Sequence, residues 1–322
     1  MSTVAGPARA RSGWNRSWRA RPLLQWAAAL LIGGIWIGAG FRSRTAADFA
    51  NFYCAGEILR ERDAAAVYQS GPMAECYERR FPAQEPVLPF IRPPFYALAL
   101  APLTAFGPEA AMWAWMVLNI AALAAAALLT AQATGIESSA VALLAALFFP
   151  SLYAFFNRQD APLVAALAAA GYALAARGRD RAAGLALAAA AIKFHLLVMM
   201  PVALLGRSRK PEARSQKRRV LEGFLVGVGL LVAISLVMVG PAGLLEYGRM
   251  LALRSAPNIE INPQRIANLS SLGGGSWIQV PLIALAAGAV LVAARRLPTP
   301  EAMAAAWLTA AMLFVASLAQ VP

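Results

Sequence analysis

Residues 22–63 decide the fold: PLLQWAAALLIGGIWIGAGF at 22–41, then RSRTAADFANFYCAGEILRERD at 42–63. The first block is apolar and uncharged, and is about as long as a helix needs to be to cross the roughly 30 Å hydrocarbon core of a bilayer. The second opens a polar stretch that runs to residue 92, in which seven acidic residues balance seven arginines. A chain that is 60% hydrophobic and 14% charged, with a mean hydropathy of +0.58, has more apolar sequence than one soluble core can hide. Further apolar runs follow at 110–131, 138–156, 160–176, 182–205, 220–240, 276–294 and 301–319. Backbone groups in lipid must bond within their own segment, so the runs are helices. The expected fold is an all-α, polytopic membrane helix bundle with a helical extracytoplasmic first loop.

Charge sets the sidedness. Arg9, Arg11, Arg16, Arg19 and Arg21 precede the first run with no acidic residue among them, and short basic flanks stay cytoplasmic. The run is long and no small-residue cleavage site precedes the polar loop, so it reads as a retained anchor. The resulting layout is a cytoplasmic N-terminus at 1–21, a membrane helix at 22–41 and an extracytoplasmic loop at 42–92. Membrane helices with short or re-entrant pieces occupy 93–206, and a basic cytoplasmic loop occupies 207–219. A helix at 220–240, an extracytoplasmic loop at 241–275 and two helices within 276–322 complete it. The 207–219 loop lacks interleaved aromatics, so it reads as a partner of anionic membrane lipid rather than of nucleic acid.

One parity problem remains. Arg177, Arg179 and Arg181 form another basic turn, yet only 182–205 separates it from 207–219, and one crossing cannot put both in the cytoplasm. Either the rule is broken there, or 182–205 is a hairpin that dips in and returns, with Lys193 and His195 near its tip. Residues 93–106 raise a related doubt, since about 21 Å of helix is short for a span.

Cys54 and Cys76, the two cysteines, both fall in the first outside loop. An oxidising compartment would permit a disulfide between them, and two free thiols are the alternative. His195 is the single histidine, so a multi-histidine metal site is excluded. No GxxxxGK[ST] run points to an ATP-driven machine. No cofactor is implied.

Asp48 stands a few residues past the first span. A carboxylate at that level can take a proton from a hydroxyl as the hydroxyl attacks an activated carbon, provided the leaving group needs little help. Phosphate is such a group, and Arg92, Arg158, Lys193 and His195 are candidate cations to stabilise it. A sugar carried on a polyprenyl phosphate would give its lipid to the helices and its sugar to the loop.

The run from Asp48 to Gly56, DFANFYCAG, resembles the signature that opens the first outside loop of glycosyltransferase family 87, the polyprenol-phosphate-mannose-dependent mannosyltransferases of the GT-C superfamily. Further similarities follow in order. Val67-Tyr68 is similar to the family's proline-tyrosine or valine-tyrosine step, and Arg92-Pro93-Pro94-Phe95-Tyr96 to the tyrosine-proline-proline start of its second membrane helix. Trp113 to Asn119 resembles a tryptophan-to-asparagine helix. Asn157-Arg158-Gln159-Asp160 stands at a turn where relatives carry glycine-glutamine or glycine-histidine. Arg177 to Gly184 with Ile192-Lys193 resembles a basic turn followed by lysine-proline, and Asn268-Leu269-Ser270-Ser271-Leu272 a late asparagine-glutamine-serine-leucine element. The resemblance implies a GT-C fold, Asp48 as the base of an inverting transfer, and a polyprenyl-phosphate sugar donor. Polyprenyl-monophosphate donors are usually handled without a metal in that superfamily, although Asp48 and Asp160 could share one if both face outward. The acceptor would be a lipid or glycan on the extracytoplasmic face of the cell membrane, with Tyr53, Arg92, Arg158, Gln159, Lys193, His195 and Asn268 binding substrate. Two departures stand out within it: Phe194 replaces the proline after the lysine, and the glycine of the 157–160 turn is missing. Relatives also continue with further helices past the point reached by Pro322.

Plainer readings exist for each residue. Asp48 fits a helix N-cap. Lys193 within an apolar run carries an insertion cost of about 2.5 to 3.5 kcal/mol and is expected to be functional, paired or snorkelling. Arg92 and Arg158 fit membrane-boundary arginines, and Tyr53 an interfacial aromatic. Two rival functions follow, a transporter or lipid flippase and a non-catalytic assembly partner. A transporter needs a membrane-embedded acid to pair with Lys193, and none is visible in the sequence.

Overall fold

The computed structural model describes residues 22–42, 47–61, 64–83, 90–197, 199–206, 208, 210–253 and 276–314. These fold into thirteen α-helices joined by short 3-10 turns, with no strand among the described residues. Three of the helices are long and apolar enough to cross a membrane. The first is α1 (Pro22–Arg42), which starts on a proline whose missing N–H costs a helix nothing at that position.

Helices α2 (Ala47–Glu61) and α3 (Ser70–Arg80) form the head of the molecule with the 3-10 turn Ala64–Tyr68. Cys54 and Cys76 join α2 to α3 in a disulfide, with Cα atoms 5.7 Å apart. Beside that bridge, the buried Glu57 accepts from Arg80 Nε at 2.8 Å and from Arg79 Nη2 at 3.1 Å. The inner face of α2 is aromatic: Phe52 packs edge-on against Tyr96 and Trp115. Gly56 lets α2 lie close to the following segment, since a Cβ there would sit 3.0 Å from the Leu100 carbonyl.

Helix α4 (Pro94–Leu100) and the turn Ala101–Ala105 stay at this head. Phe95 N donates to Ser235 Oγ at one end, and Phe106 O accepts from Tyr53 at the other. The segment 93–106 therefore does not cross, which answers the doubt about its length.

The bundle hangs below. Helix α5 (Pro108–Thr134) descends beside α8 (Ala161–Ala176) with opposite direction: Trp115 Nε1 donates to Arg158 O near the head, and Arg177 to Gln132 at the far end. The single run expected at 138–156 is broken into α6 (Ser138–Leu147) and α7 (Phe149–Phe156). Pro150 is the cause, because it has no N–H for the carbonyl four residues earlier. That orphaned carbonyl, Ala146 O, accepts instead from Trp36 Nε1 on α1 at 3.2 Å.

Residues 180–206 settle the parity problem. Helix α9 (Asp180–Ala189) rises beside α11 (Pro211–Leu253), the 3-10 segment Ala190–Leu197 turns over, and α10 (Met200–Leu205) returns. At the start of the hairpin Asp180 bonds Arg219 and Gln216; at its finish Gly206 O accepts from Lys217. Both ends thus lie against one turn of α11, with Lys193 at the tip, where its non-helical φ of −110° and ψ of 70° bend the chain. The segment is thus a hairpin, the shape of the second alternative. Glycine makes the packing possible: a Cβ on Gly184 would stand 2.1 Å from Val220 O, and one on Gly223 2.1 Å from Arg181 O.

Helix α11 departs from expectation too. It does not end near 240; at Gly240, with φ of 63°, it kinks before Pro241 and continues to Leu253. Glycine accepts the left-handed conformation and proline cannot continue the ladder, so the pair turns the chain over the head. There Tyr247 packs on Tyr68 with ring centroids 5.0 Å apart. Helix α12 (Ser276–Arg296) brings Ala294 O to Lys217 Nζ at the end opposite the head, and α13 (Thr299–Phe314) follows. The loop expected at 207–219 is helical from Pro211 onward, and the basic residues of 177–181, 214–219 and 295–296 share one end.

Candidate functional site

Four charged side chains from four separate segments meet where α2, α4, α8 and the hairpin tip converge. Asp160 sits in the turn ahead of α8, fully buried at 0% exposure. Arg92, just before α4, holds it in a two-pronged grip: Nε to Oδ2 at 2.8 Å and Nη2 to Oδ1 at 2.9 Å. Lys193 Nζ reaches Oδ1 at 3.1 Å from the hairpin tip. Two cations on one buried carboxylate hold its pKa well below the ordinary value, overcoming the opposing effect of burial.

Asp48, in the first turn of α2, completes the group. Its carboxyl is partly buried and hydrogen-bonded to the Gln159 side chain. Gln159 Oε1 in turn accepts from Lys193 Nζ at 3.4 Å, so one amide links Asp48 to Lys193. Burial pushes the Asp48 pKa above the usual carboxylate value, the charges of Lys193 and Arg92 pull it back in part, and Asp160 adds to the rise. Among the described residues Asp48 makes no ion pair within 4.0 Å. Two positive and two negative groups cancel, so the cluster is stable without a ligand and still presents two cations to an incoming anion.

An apolar cavity of about 350 Å³ adjoins this cluster. Pro93, Phe95 and Phe194 form one side and Leu231, Ser235 and Tyr247 of α11 the other. Two of the cavity's lining residues, Pro93 and Phe194, directly follow Arg92 and Lys193 in sequence, while the two cations themselves do not line it. Phe194, the departure from the family's lysine-proline, is 46% exposed there.

The expected site residues therefore divide. Asp48, Arg92, Gln159 and Lys193 come together. Arg158 is buried nearby but its Nη2 donates to Gly40 O at the end of α1, at 3.3 Å. Its φ of 53° makes it the one non-glycine residue with positive φ among those described, which explains why glycine suits this turn. Tyr53 lies apart, 2% exposed, with its ring against Phe49 and Phe81 and its hydroxyl donating to Phe106 O. Only the backbone of His195 is described, and Asn268 falls outside the described residues. In sequence Asp160 stands only as a candidate metal partner of Asp48, and it is the acidic partner of Lys193 that the sequence did not reveal. The signal available was two cations near membrane boundaries, Arg92 and Lys193, with one carboxylate, Asp160, opening an apolar run.

The sequence profile of glycosyltransferase family 87 matches residues 90–320. That span contains Arg92, Gln159, Asp160 and Lys193, and begins after Asp48. No curated protein and no solved structure matches the chain.

Proposed function

We propose, from the premise that this chain belongs to glycosyltransferase family 87 and is a membrane glycosyltransferase, that its donor is a polyprenyl-phosphate sugar and its base is Asp48. The observation that supports the reading is the paired cluster of Arg92, Lys193 and Asp160 beside Asp48, with an apolar cavity of about 350 Å³ lined by the sequence neighbours of the two cations, Pro93 and Phe194. A prenyl chain would occupy the cavity, and its phosphate would meet Lys193 and Arg92. The sugar would then lie toward Asp48.

In the reaction the acceptor hydroxyl attacks the anomeric carbon from the face opposite the phosphate. The new carbon–oxygen bond forms as the bond from that carbon to the phosphate oxygen breaks. The electron pair leaves on the polyprenyl phosphate, whose added charge the two cations stabilise. The hydroxyl proton passes to Asp48. A carboxyl with a raised pKa is a stronger base once ionised, and it must be ionised to act. Transfer therefore falls as pH drops through that raised value.

Sidedness follows from charge in the same reading. The basic residues of 177–181, 214–219 and 295–296 share the end opposite Asp48 and favour the cytoplasm. On this reading Asp48 would face outside, and the Cys54–Cys76 disulfide, which persists in an oxidising compartment, supports it. The acceptor would be a lipid or glycan of the cell envelope.

The test uses the purified chain in nanodiscs, offered either a polyprenyl-phosphate sugar or a nucleotide sugar with extracted envelope lipids as acceptor. Consumption of the polyprenyl donor alone is the expected result. Consumption of the nucleotide sugar, or solute uptake into proteoliposomes with no transfer from either donor, would overturn the assignment.

A further inference from the structure

We propose that Asp160 is a positioning residue whose carboxylate draws Arg92 and Lys193 onto its own two oxygens, leaving Asp48 unclaimed by either cation and available as a base. The inference rests on the transferase reading for its functional meaning, and on geometry for everything else. A cluster with two carboxylates and two cations has two simple arrangements. Each acid could take one cation, giving two separate ion pairs, or one acid could take both. The second arrangement is the one found, with contacts of 2.8, 2.9 and 3.1 Å all made to Asp160.

Position explains the asymmetry. Asp160 is at 0% exposure, where an unpaired carboxylate would be most costly, and it faces both cations from the turn before α8. Asp48 is less deeply buried, and Gln159 rather than a cation bonds it. The Gln159 amide also accepts from Lys193, so it holds the lysine on the Asp160 side while keeping it within reach of an anion. The groups facing Asp48 are Lys193, Arg92, Asp160, Gln159 and, from α7, Tyr153. If Asp160 loses its charge, Asp48 becomes the one carboxylate left in the cluster. Lys193, on the mobile end of a four-carbon stem, would then swing to it. The base would become a salt-bridged carboxylate and a weaker proton acceptor.

The test is an infrared titration of the Asp48 carboxyl band in nanodiscs, assigned by its loss in Asp48→Asn. It is run on the wild type, Asp160→Asn, and Asp160→Asn with Lys193→Met. The single variant is expected to titrate lower by about one pH unit or more, as a newly paired carboxylate does. The double variant, with no lysine to capture Asp48, is expected to return to within about half a unit of wild type. Where transfer is measured, the acid limb of the Asp160→Asn rate profile should move down with the titration, and its kcat should fall at least tenfold. Loss of the Asp160 charge lowers the midpoint slightly even with Lys193 in place, because that charge adds to the rise of the Asp48 pKa, so the proposal requires the larger displacement of about one unit or more. An unmoved midpoint in Asp160→Asn, or a double variant as low as the single one, overturns the proposal. Should Asp160→Asn not be recovered folded, the double variant decides alone, and a midpoint displaced by more than about half a unit rejects the idea. The titration needs no turnover, so a wild type that transfers no sugar would count against the transferase reading and not against this one.

Discussion

The two ends of the bundle are both rich in charge and use it in opposite ways. At the head, Asp48, Asp160, Arg92 and Lys193 are packed into a cluster of equal and opposite charge, with Lys193 at 9% exposure. At the far end the charge is mostly basic and mostly exposed, apart from Lys217 and Asp180, which are buried in ties to Gly206, Ala294 and Arg219. Arg181 and Arg218 reach Glu222 with side chains 72% and 83% exposed. Buried charge is costly unless paired, so it persists where something is done with it; exposed charge costs little and serves orientation and headgroup contact. The contrast singles out the head, where two carboxylates and two cations are gathered in one cluster, as the place for the proposed chemistry.

The comparison can be broken first at Arg92. Arg92→Met leaves Asp160 with one cation in place of two and takes away half of the phosphate cradle. Transfer should fall by about 10² to 10³-fold, with a loss of about 3 to 5 kcal/mol in stability, as expected on breaking a buried pair. Thermal unfolding in detergent together with a rate assay checks both, and an Arg92→Met protein as stable as wild type would contradict the pairing. A smaller effect is expected at the edge of the same head. Cys54→Ser opens the α2–α3 bridge and should cost about 2 to 4 kcal/mol, read as a lower melting temperature that reducing agent reproduces in the wild type. At the far end, Arg218→Gln should leave the melting temperature and the transfer rate unchanged within error. A marked loss there would show that the basic end is more than an anchor.

Sequence alone carried the helices that are long and apolar throughout, at 22–42, 108–134 and 161–176. It also posed the hairpin correctly as one of two alternatives, because Arg177, Arg179 and Arg181 could not share a side with 207–219 across one span. What hydropathy could not show was where a run is interrupted. The break at Pro150 needed Trp36 of a distant helix to donate to an orphaned carbonyl, and the extension past Gly240 needed Tyr68 and the head to pack against. Candidate site residues divided along the same line. Asp48, Arg92 and Lys193 were visible as charges out of place near or within apolar runs. Asp160 was not, since a carboxylate at the start of a helix is ordinary in sequence, and its partners lie 68 and 33 positions away. Tyr53 read as an interfacial aromatic or a sugar-stacking group, because the face of α2 it occupies is set by Phe49, Phe81 and Phe106.

The most direct test is a steady-state rate of sugar transfer from a polyprenyl-phosphate donor, measured for the wild type and Asp48→Asn in matched nanodiscs. The amide keeps the size of the carboxylate and removes its basicity, so the account predicts a loss of about 10² to 10⁴-fold with the folded yield unchanged. Turnover by Asp48→Asn at the wild-type rate would contradict it.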